Sequence, residues 1–423
     1  MRPEPAQEPQ QTTSTRPARL PSLWRNRDFM LLWSGQAVST AGTQMTLLAL
    51  PLFVLALTHS AAQAGIVAAI ESIPRVVLTL PAGALVDRMD RKRLMIGCDV
   101  LRMFALGSIP LALVAGHLAM PLIYGAALII GACSAIFWLA RVSAMPRVVP
   151  PEQLGAAVAR SEFAEGAAIL AGPPLAGLLF GIGRAFPFFV DAISYGVSAL
   201  SLRFIRIPFQ SEHKKEPLSP RAMLDGMRWL WRTPLMRFMA LIYAGFSLSN
   251  GTELALIVRA QDLHATPFII GLIFAAGGVG GLLGAVLAEP IQRRFRFGQV
   301  LPILAWGYPI TWLLFGLVPS PLLMALVEVV SMIVDQIYDV VWPSYRMAMI
   351  PDALQGRVMS AYRVIMLSMQ PVGLFAGGLL VQRVGAGHTL LLAAAVEAVL
   401  AVATTLSPHV RHAPPVGDLE PRP

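Results

Sequence analysis

Uncharged apolar stretches recur along this chain from Phe29 to Leu406. Each is about 20 residues long, enough to cross a hydrocarbon layer of roughly 30 Å as a helix. Hydrocarbon offers no water to an exposed amide, so a stretch of this kind must satisfy its backbone internally, as a helix does. The pattern places twelve helices, near 29–56, 63–86, 94–115, 119–140, 155–181, 186–204, 236–258, 267–289, 299–318, 321–343, 357–381 and 388–406. The expected fold is an all-α membrane protein with two pseudo-symmetric bundles of six helices. Composition agrees, at 56% hydrophobic and 13% charged residues, against roughly 45–50% and 25% in soluble domains.

A net charge of +9 raises nucleic acid as a partner until the basic residues are located. With the N-terminus inside, all but six of the 33 Lys and Arg fall on inner tails and loops. Arg184, Arg259 and Arg383 lie on outer loops, and Arg75, Arg102 and Arg363 lie within helices. This is the positive-inside pattern, so the charge orients the chain against a membrane and no nucleic-acid partner is expected. It predicts a multi-pass protein of the bacterial plasma (inner) membrane with both termini cytoplasmic. Residues 1–22 hold no apolar run, so no cleavable signal is expected. Cys98 and Cys133 fall inside apolar helices, and no disulfide or metal site is expected from them. No phosphate-binding loop, zinc-ligand spacing or nucleophile elbow is present, so the chain reads as a non-enzyme without a cofactor.

The longest polar interruption, residues 206–233, separates the two sets of six helices. The expected organisation is a disordered cytoplasmic tail at 1–22, a bundle at 23–206, a linker at 207–233, a second bundle at 234–406, and a tail at 407–423. Within the linker, Ser219 and Pro220 are N-cap and N1 residues opening a Met-, Leu-, Trp- and Arg-bearing segment to Trp231, which reads as a helix on the inner membrane surface. The halves also match at an offset near 200 residues. Leu85 to Lys92 matches Leu287 to Arg294, pairing Asp87 and Arg91 with Glu289 and Arg293. Pro151-Glu152 matches Pro351-Asp352, and Gly172-Pro173 matches Gln370-Pro371. Duplication of this kind belongs to transporters that alternate access between two halves.

The loop Gly83-Ala-Leu-Val-Asp87-Arg88-Met-Asp-Arg91-Lys92 resembles the signature loop of the major facilitator superfamily. The resemblance implies a gating role for Gly83, Asp87, Arg88, Arg91 and Lys92, with Asp99 and Arg102 one turn apart beside them and Glu289 and Arg293 as the second-half counterparts. Gly166, Gly172, Pro173 and Gly177 on the fifth segment resemble the Gly-Pro motif of its proton-coupled antiporters, with Ala176 where a second glycine is usual. Ordinary small-residue packing accounts for the same residues. Phe189 to Tyr195 and Asp352 to Val358 resemble the branch that holds enterobactin exporters and macrolide efflux proteins, over about residues 23–406. That implies a multidrug, antibiotic or siderophore exporter.

A charge at mid-bilayer costs roughly 2.5–3.5 kcal/mol on insertion scales, so each intramembrane ion needs a partner or a wet cavity. Glu71 and Arg75, at i and i+4 near the middle of the second segment, suit an ion pair. They read as proton-coupling candidates or as a static lock to the eleventh segment. Asp335 and Asp339 share one helix face and are the second proton-coupling pair, with pairing to Arg346 as the alternative. Asp191, Glu253 and Glu328 rank below them. Glu162, Glu165 and Arg363 are expected in an inner charge network. Gln36, Thr40, Gln44, Asn250, Trp312 and Gln336 are the substrate-cavity candidates, and Trp138 and Tyr195 read as interface anchors.

The function expected is proton-coupled efflux of a small amphipathic molecule by alternating access. Partners are that substrate, protons and membrane lipid, with the chain a monomer. Uptake by the same fold, and a non-transporting membrane sensor or lipid-handling protein, stand as alternatives.

Overall fold

The computed structural model describes residues 22–78, 85–86, 88–209 and 220–413, with side chains omitted at 220–224, 250 and 353. Gly83, Asp87, Ser219, and the tails at 1–21 and 414–423 lie outside the described residues. The first half comprises α1 (Arg27–Thr58), α2 (Ala61–Leu78), α3 (Arg91–Val114), α4 (Met120–Val148), α5 (Leu154–Ile182) and α6 (Phe186–Phe204). A helix α7 (Pro220–Arg232) precedes the second half. That half comprises α8 (Pro234–Asn250), α9 (Glu253–Asp262), α10 (Pro267–Arg294), α11 (Phe297–Leu317), α12 (Pro321–Met349), α13 (Gln355–Ser368), α14 (Gln370–Val384) and α15 (Ala386–Leu406), followed by the single turn α16 (Pro408–Arg411).

Local chemistry starts these helices. Asn26 accepts from the Phe29 amide at 3.1 Å, Asp90 from Arg93 at 2.9 Å, Thr266 from Ile269 at 3.4 Å and Ser320 from Leu323 at 3.3 Å. Each satisfies an amide that the first helical turn leaves without a partner. Pro234, Pro267 and Pro321 stand in the first turn, where no amide is required. Eleven spans among the described residues are long and apolar enough to cross a membrane. The twelfth, α6, is less apolar because one of its faces buries Asp191, Ser194, Tyr195, Ser198 and Ser201.

Two expected spans are broken. The seventh is α8 and α9, interrupted where the Thr252 amide turns back to the Ser249 carbonyl at 2.8 Å. The eleventh is α13 and α14, interrupted at Met369 ahead of Pro371. The two breaks adjoin one another, because Gly373 lies on the backbone of Leu248 and Gly377 on that of Gly251. Hydropathy is blind to such a break, at which the amides of Thr252, Ala255 and Gly373 turn back to the carbonyls of Ser249, Thr252 and Met369. The fourth and tenth helices run six to eight residues past the expected ends at 140 and 343, to Val148 and Met349. Their last turns carry Arg141, Arg147 and Arg346 and continue beyond the apolar stretch.

Packing repeats between halves. In the first bundle α1 packs on α5 and α6, α2 on α4, and α3 on α4 and α6. In the second, α8 and α9 pack on α14 and α15, α10 on α12, and α11 on α12 and α15. The corresponding pairs α2 with α14 and α5 with α10 join the bundles. The repeated Pro-acid pairs also take one shape, a 3-10 turn (Pro151–Gln153 and Asp352–Leu354) running directly into a helix. The protein is thus an all-helical membrane bundle of two pseudo-symmetric sets of six spans.

The seams between bundles are made by glycine. An added methyl at Gly65 would meet the Leu374 carbonyl and Gly378, one at Gly177 the Pro267 carbonyl, and one at Gly271 the Pro173 carbonyl. Ala61 also donates its amide across the boundary to Gln382 Oε1 at 2.8 Å. All these contacts lie toward the face opposite the chain termini. Helices without Cβ atoms at the seam approach to backbone contact, the usual means of association where no hydrophobic force acts between helices.

Replacing Gly271→Leu overpacks this seam by roughly 1–3 kcal/mol. A cysteine placed at Ala61 in the purified protein is therefore expected to react about tenfold faster with a soluble maleimide than without the leucine, the factor that 1.4 kcal/mol represents. Unchanged reactivity would show that this seam does not control access to the far face.

Candidate functional site

Polar side chains inside the first bundle form one connected set. Asp99 and Arg102 of α3 are ion-paired, with 0% and 5% exposure. The second Asp99 oxygen accepts from Ser198 of α6 at 2.7 Å, and Ser198 in turn accepts from Gln36 Nε2 of α1 at 3.1 Å. The Arg102 guanidinium is sandwiched by aromatic faces, 4.5 Å from the Phe137 ring centre and 4.3 Å from that of Tyr195. Tyr195 meets Thr43 of α1 at 3.0 Å. One turn away, Asp191 is hydrogen-bonded to Thr46 at 2.5 Å and to Ser194 at 2.8 Å. Desolvated ions persist in hydrocarbon only when paired or hydrogen-bonded, and this set meets that condition at each charged atom but Arg102 Nε.

Three sequence expectations change here. Tyr195 is buried under Arg102 and is no interface anchor, because its hydroxyl has found a partner within the bundle. Asp191, ranked low by its position along α6, sits at the centre of the polar set. Gln36 belongs partly to this set and partly to an open cleft.

That cleft opens beside α1, α4 and α5 and is lined by Trp33, Gln36, Thr40, Arg141, Ser161 and Glu165 among others. Arg141 and Glu165 pair across it at 3.4 Å. Gln36 and Thr40 both border this cleft, and Glu165 pairs with Arg141, the partner that sequence could not name. Gln44 packs instead on Gly172 of α5. Across from the cleft, Arg363 of α13 lies 4.2 Å from the Trp138 ring centre of α4, a cation–π contact between bundles.

Glu71 and Arg75 form the expected ion pair at 3.3 Å, with Arg75 40% exposed. The Glu71 backbone is also where α4 approaches, since a methyl at Gly131 would strike its carbonyl. In the second bundle, Tyr308 donates to Asp335 at 2.9 Å while Asp339 is exposed. No Lys or Arg among the described residues is ion-paired with either acid. Arg346, the alternative partner, is buried over the Tyr362 ring at 4.2 Å. Gln336 packs at the α10–α12 contact against Gly284. Trp312, expected at a cavity wall, is 7% exposed beside Phe315 within an aromatic core that includes Phe246, Tyr308 and Tyr338. Asn250 stands at the break between α8 and α9.

The basic residues of the loop bind neighbouring backbone, and Lys92 caps the end of α6. Arg91 donates to the carbonyls of Ser143 and Phe209, each at 3.2 Å, and Lys92 to that of Ile205 at 2.6 Å. Cations at helix C-termini are stabilised by the free carbonyls and the helix dipole. Arg88 is exposed. Glu289 and Arg293 pair at 2.5 Å within α10, both largely exposed. On α5, Gly172 lets α1 approach and Gly177 lets α10 approach, whereas Gly166 faces open space. Sequence reasoning missed Glu397 of α15 altogether. It is 0% exposed, and its carboxyl faces the buried Ser249 hydroxyl of α8. A lone Glu in an apolar run was the available signal.

The family described as "Transmembrane secretion effector" matches residues 21–418. The chain is 26% identical over 401 residues to the multidrug efflux pump Tap of Mycolicibacterium fortuitum, covering 90% of this chain and 96% of Tap. It is 25% identical over 399 residues to macrolide efflux protein A of Streptococcus pyogenes, with 90% and 96% covered. Among solved structures it resembles a bacterial homologue of the iron transporter ferroportin in an inward-facing state. That match has a TM-score of 0.72 at 18% identity, over 92% of this chain and 100% of that one.

Removing one partner of a buried ion pair costs roughly 3–5 kcal/mol, against 0–1 kcal/mol for an exposed pair. Arg102→Ala is expected to lower the thermal unfolding temperature in detergent by many degrees, and Arg293→Ala hardly at all. Equal shifts would mean that the Asp99–Arg102 pair is not sealed from water.

Proposed function

The chain belongs to the transmembrane secretion effector family, a branch of the major facilitator transporters, and on that premise we propose that it exports a small amphipathic molecule in exchange for protons. As a member it is a multi-pass membrane transporter of small molecules and no enzyme. One observation supports the alternating-access reading above the others. The backbone seams between bundles are confined to the half of the molecule away from the termini, while the cleft at Gln36, Thr40 and Arg141 opens toward the other half. Helices joined through glycine at one end only can rock about that seam.

In this reading, which the positive-inside charge pattern supports, the termini and the cleft lie on the cytoplasmic side of a bacterial plasma membrane. The conformation is then inward-facing, ready to take cargo from the cytoplasm. In this reading residues 23–206 and 234–406 move as units, as a monomer, with 207–233 as the linker. Leu230 of α7 is buried and Gly226 lies against the Arg357 backbone, so this helix ties the linker to α13. Gly172, Pro173 and Gly177 form the α5 joint. Glu71 with Arg75, and Asp335 with Asp339, are the carboxyl sites where protons exchange against cargo. A cleft mixing Trp33, amide, hydroxyl and paired charge suits a drug- or antibiotic-like amphiphile. The relatives' names as multidrug and macrolide efflux pumps support the outward direction.

The test is transport by the purified chain in proteoliposomes, with ethidium and erythromycin as probes and an imposed pH gradient. Movement of either probe against its gradient is expected with the pH gradient and not without it. Glu71→Gln is expected to reduce the gradient-driven rate about tenfold or more, in the range that removing a proton-transfer group gives. A flux that ignores the pH gradient would end the antiport reading.

A further inference from the structure

The polar set inside the first bundle does not balance in charge. It encloses two carboxylates, Asp99 and Asp191, and one guanidinium, Arg102, all three at most 5% exposed. Other titratable groups facing the set are Tyr195 of α6, Cys98 of α3 and Cys133 of α4, and α1 contributes hydroxyls and an amide only. None of these is a second cation. A buried carboxylate without a cation takes up a proton rather than bear its full desolvation cost.

Geometry assigns where that proton rests. Asp99 is ion-paired with Arg102 and accepts from Ser198, the surroundings of an ionised carboxylate. Asp191 has only hydroxyl neighbours, Thr46 Oγ1 at 2.5 Å and Ser194 Oγ at 2.8 Å. A threonine hydroxyl serves as donor or acceptor, so the Thr46 contact holds equally when Asp191 carries the hydrogen. The place is built for this carboxyl. A methyl at Gly42 of α1 would strike both Asp191 Oδ1 and Ser194 Oγ, so the glycine admits α1 to the acid.

The set also reaches the cleft. Gln36 lines it and donates to Ser198, and Ser198 donates to Asp99. Arg102 lies against the Tyr195 ring, one turn from Asp191 on the same helix. We propose that Asp99, Arg102 and Asp191 form a one-proton site that couples the first bundle to the proton gradient, with the proton on Asp191 in this conformation. In the exchange step that leads to this conformation, a neutral Asp99 passes its proton from Oδ2 to Ser198 Oγ as the Ser198 hydroxyl proton leaves toward the cleft. Asp99 is then ionised and pairs with Arg102 as seen here, while Asp191, ionised and paired with Arg102 beforehand, takes up a proton from the opposite side. One proton enters from the far side and one leaves to the cleft, so the enclosed charge is the same before and after the step.

This rests on the proton-exchange reading above, and two measurements separate their fates. Infrared difference spectra of the full chain in membranes at neutral pH are expected to contain a neutral carboxylic acid C=O band that disappears in Asp191→Asn. This readout needs no substrate. In proteoliposomes with ethidium, Asp191→Asn is expected to keep probe-for-probe exchange within about twofold while pH-driven accumulation falls about tenfold or more, as for loss of a proton-transfer group. Thr46→Val keeps the acid and serves if the asparagine variant fails to assemble. It is expected to shift the pH profile of transport without abolishing exchange. An infrared spectrum unchanged by Asp191→Asn, or full pH-driven accumulation by that variant, would overturn the proposal. So would a Thr46→Val profile identical to wild type. A wild-type chain that moved ethidium without regard to pH would remove the coupling role together with the function proposed above, while the infrared band would still decide where the proton rests.

Discussion

Everything in this protein follows from a backbone that must satisfy its own hydrogen bonds in a medium that offers none. The helices answer that requirement within themselves, and their ends are closed by Asn26, Asp90, Thr266, Ser320 and the in-turn prolines. Where two spans are interrupted, at Gly251 and at Met369, the loose ends adjoin one another through Gly373 and Gly377. A break in hydrocarbon is tolerable when another backbone lies directly against it.

The same medium explains how the halves meet. Lipid tails and leucine side chains are equally apolar, so no hydrophobic force drives one bundle onto the other. What remains is close contact, and small residues supply it at Gly65, Gly177, Gly271 and Gly378. A seam of this kind stabilises through close backbone contact, with Ala61, Ala64, Ala176 and Ile270 buried beside it.

Charge is the third consequence. Arg102 is held between two aromatic faces and a carboxylate, which together replace its hydration. Glu397, Glu328 and Asp191 are buried without a paired cation. The exposed pairs, such as Glu289–Arg293, stand where water supports them. The chain therefore keeps its costly polar groups in the interiors of bundles and along the cleft.

The sequence by itself determined the helices, the membrane, the duplication and the family, because hydropathy, helix rise and repeated motifs are written along the chain and need no partner to be read. It also found Glu71–Arg75 and Asp99–Arg102, since pairs three or four residues apart lie on one helix face whatever surrounds them. Tertiary structure alone decided the rest. It turned Trp312 into an aromatic core and Tyr195 under a guanidinium, left Asp335 to Tyr308 and not to Arg346, gave Glu165 its Arg141, and drew Asp191 and Ser198 into one set with Gln36. Those outcomes depend on contacts between residues 24 to 162 apart in the chain, and periodicity tells which face a residue occupies but not what that face meets.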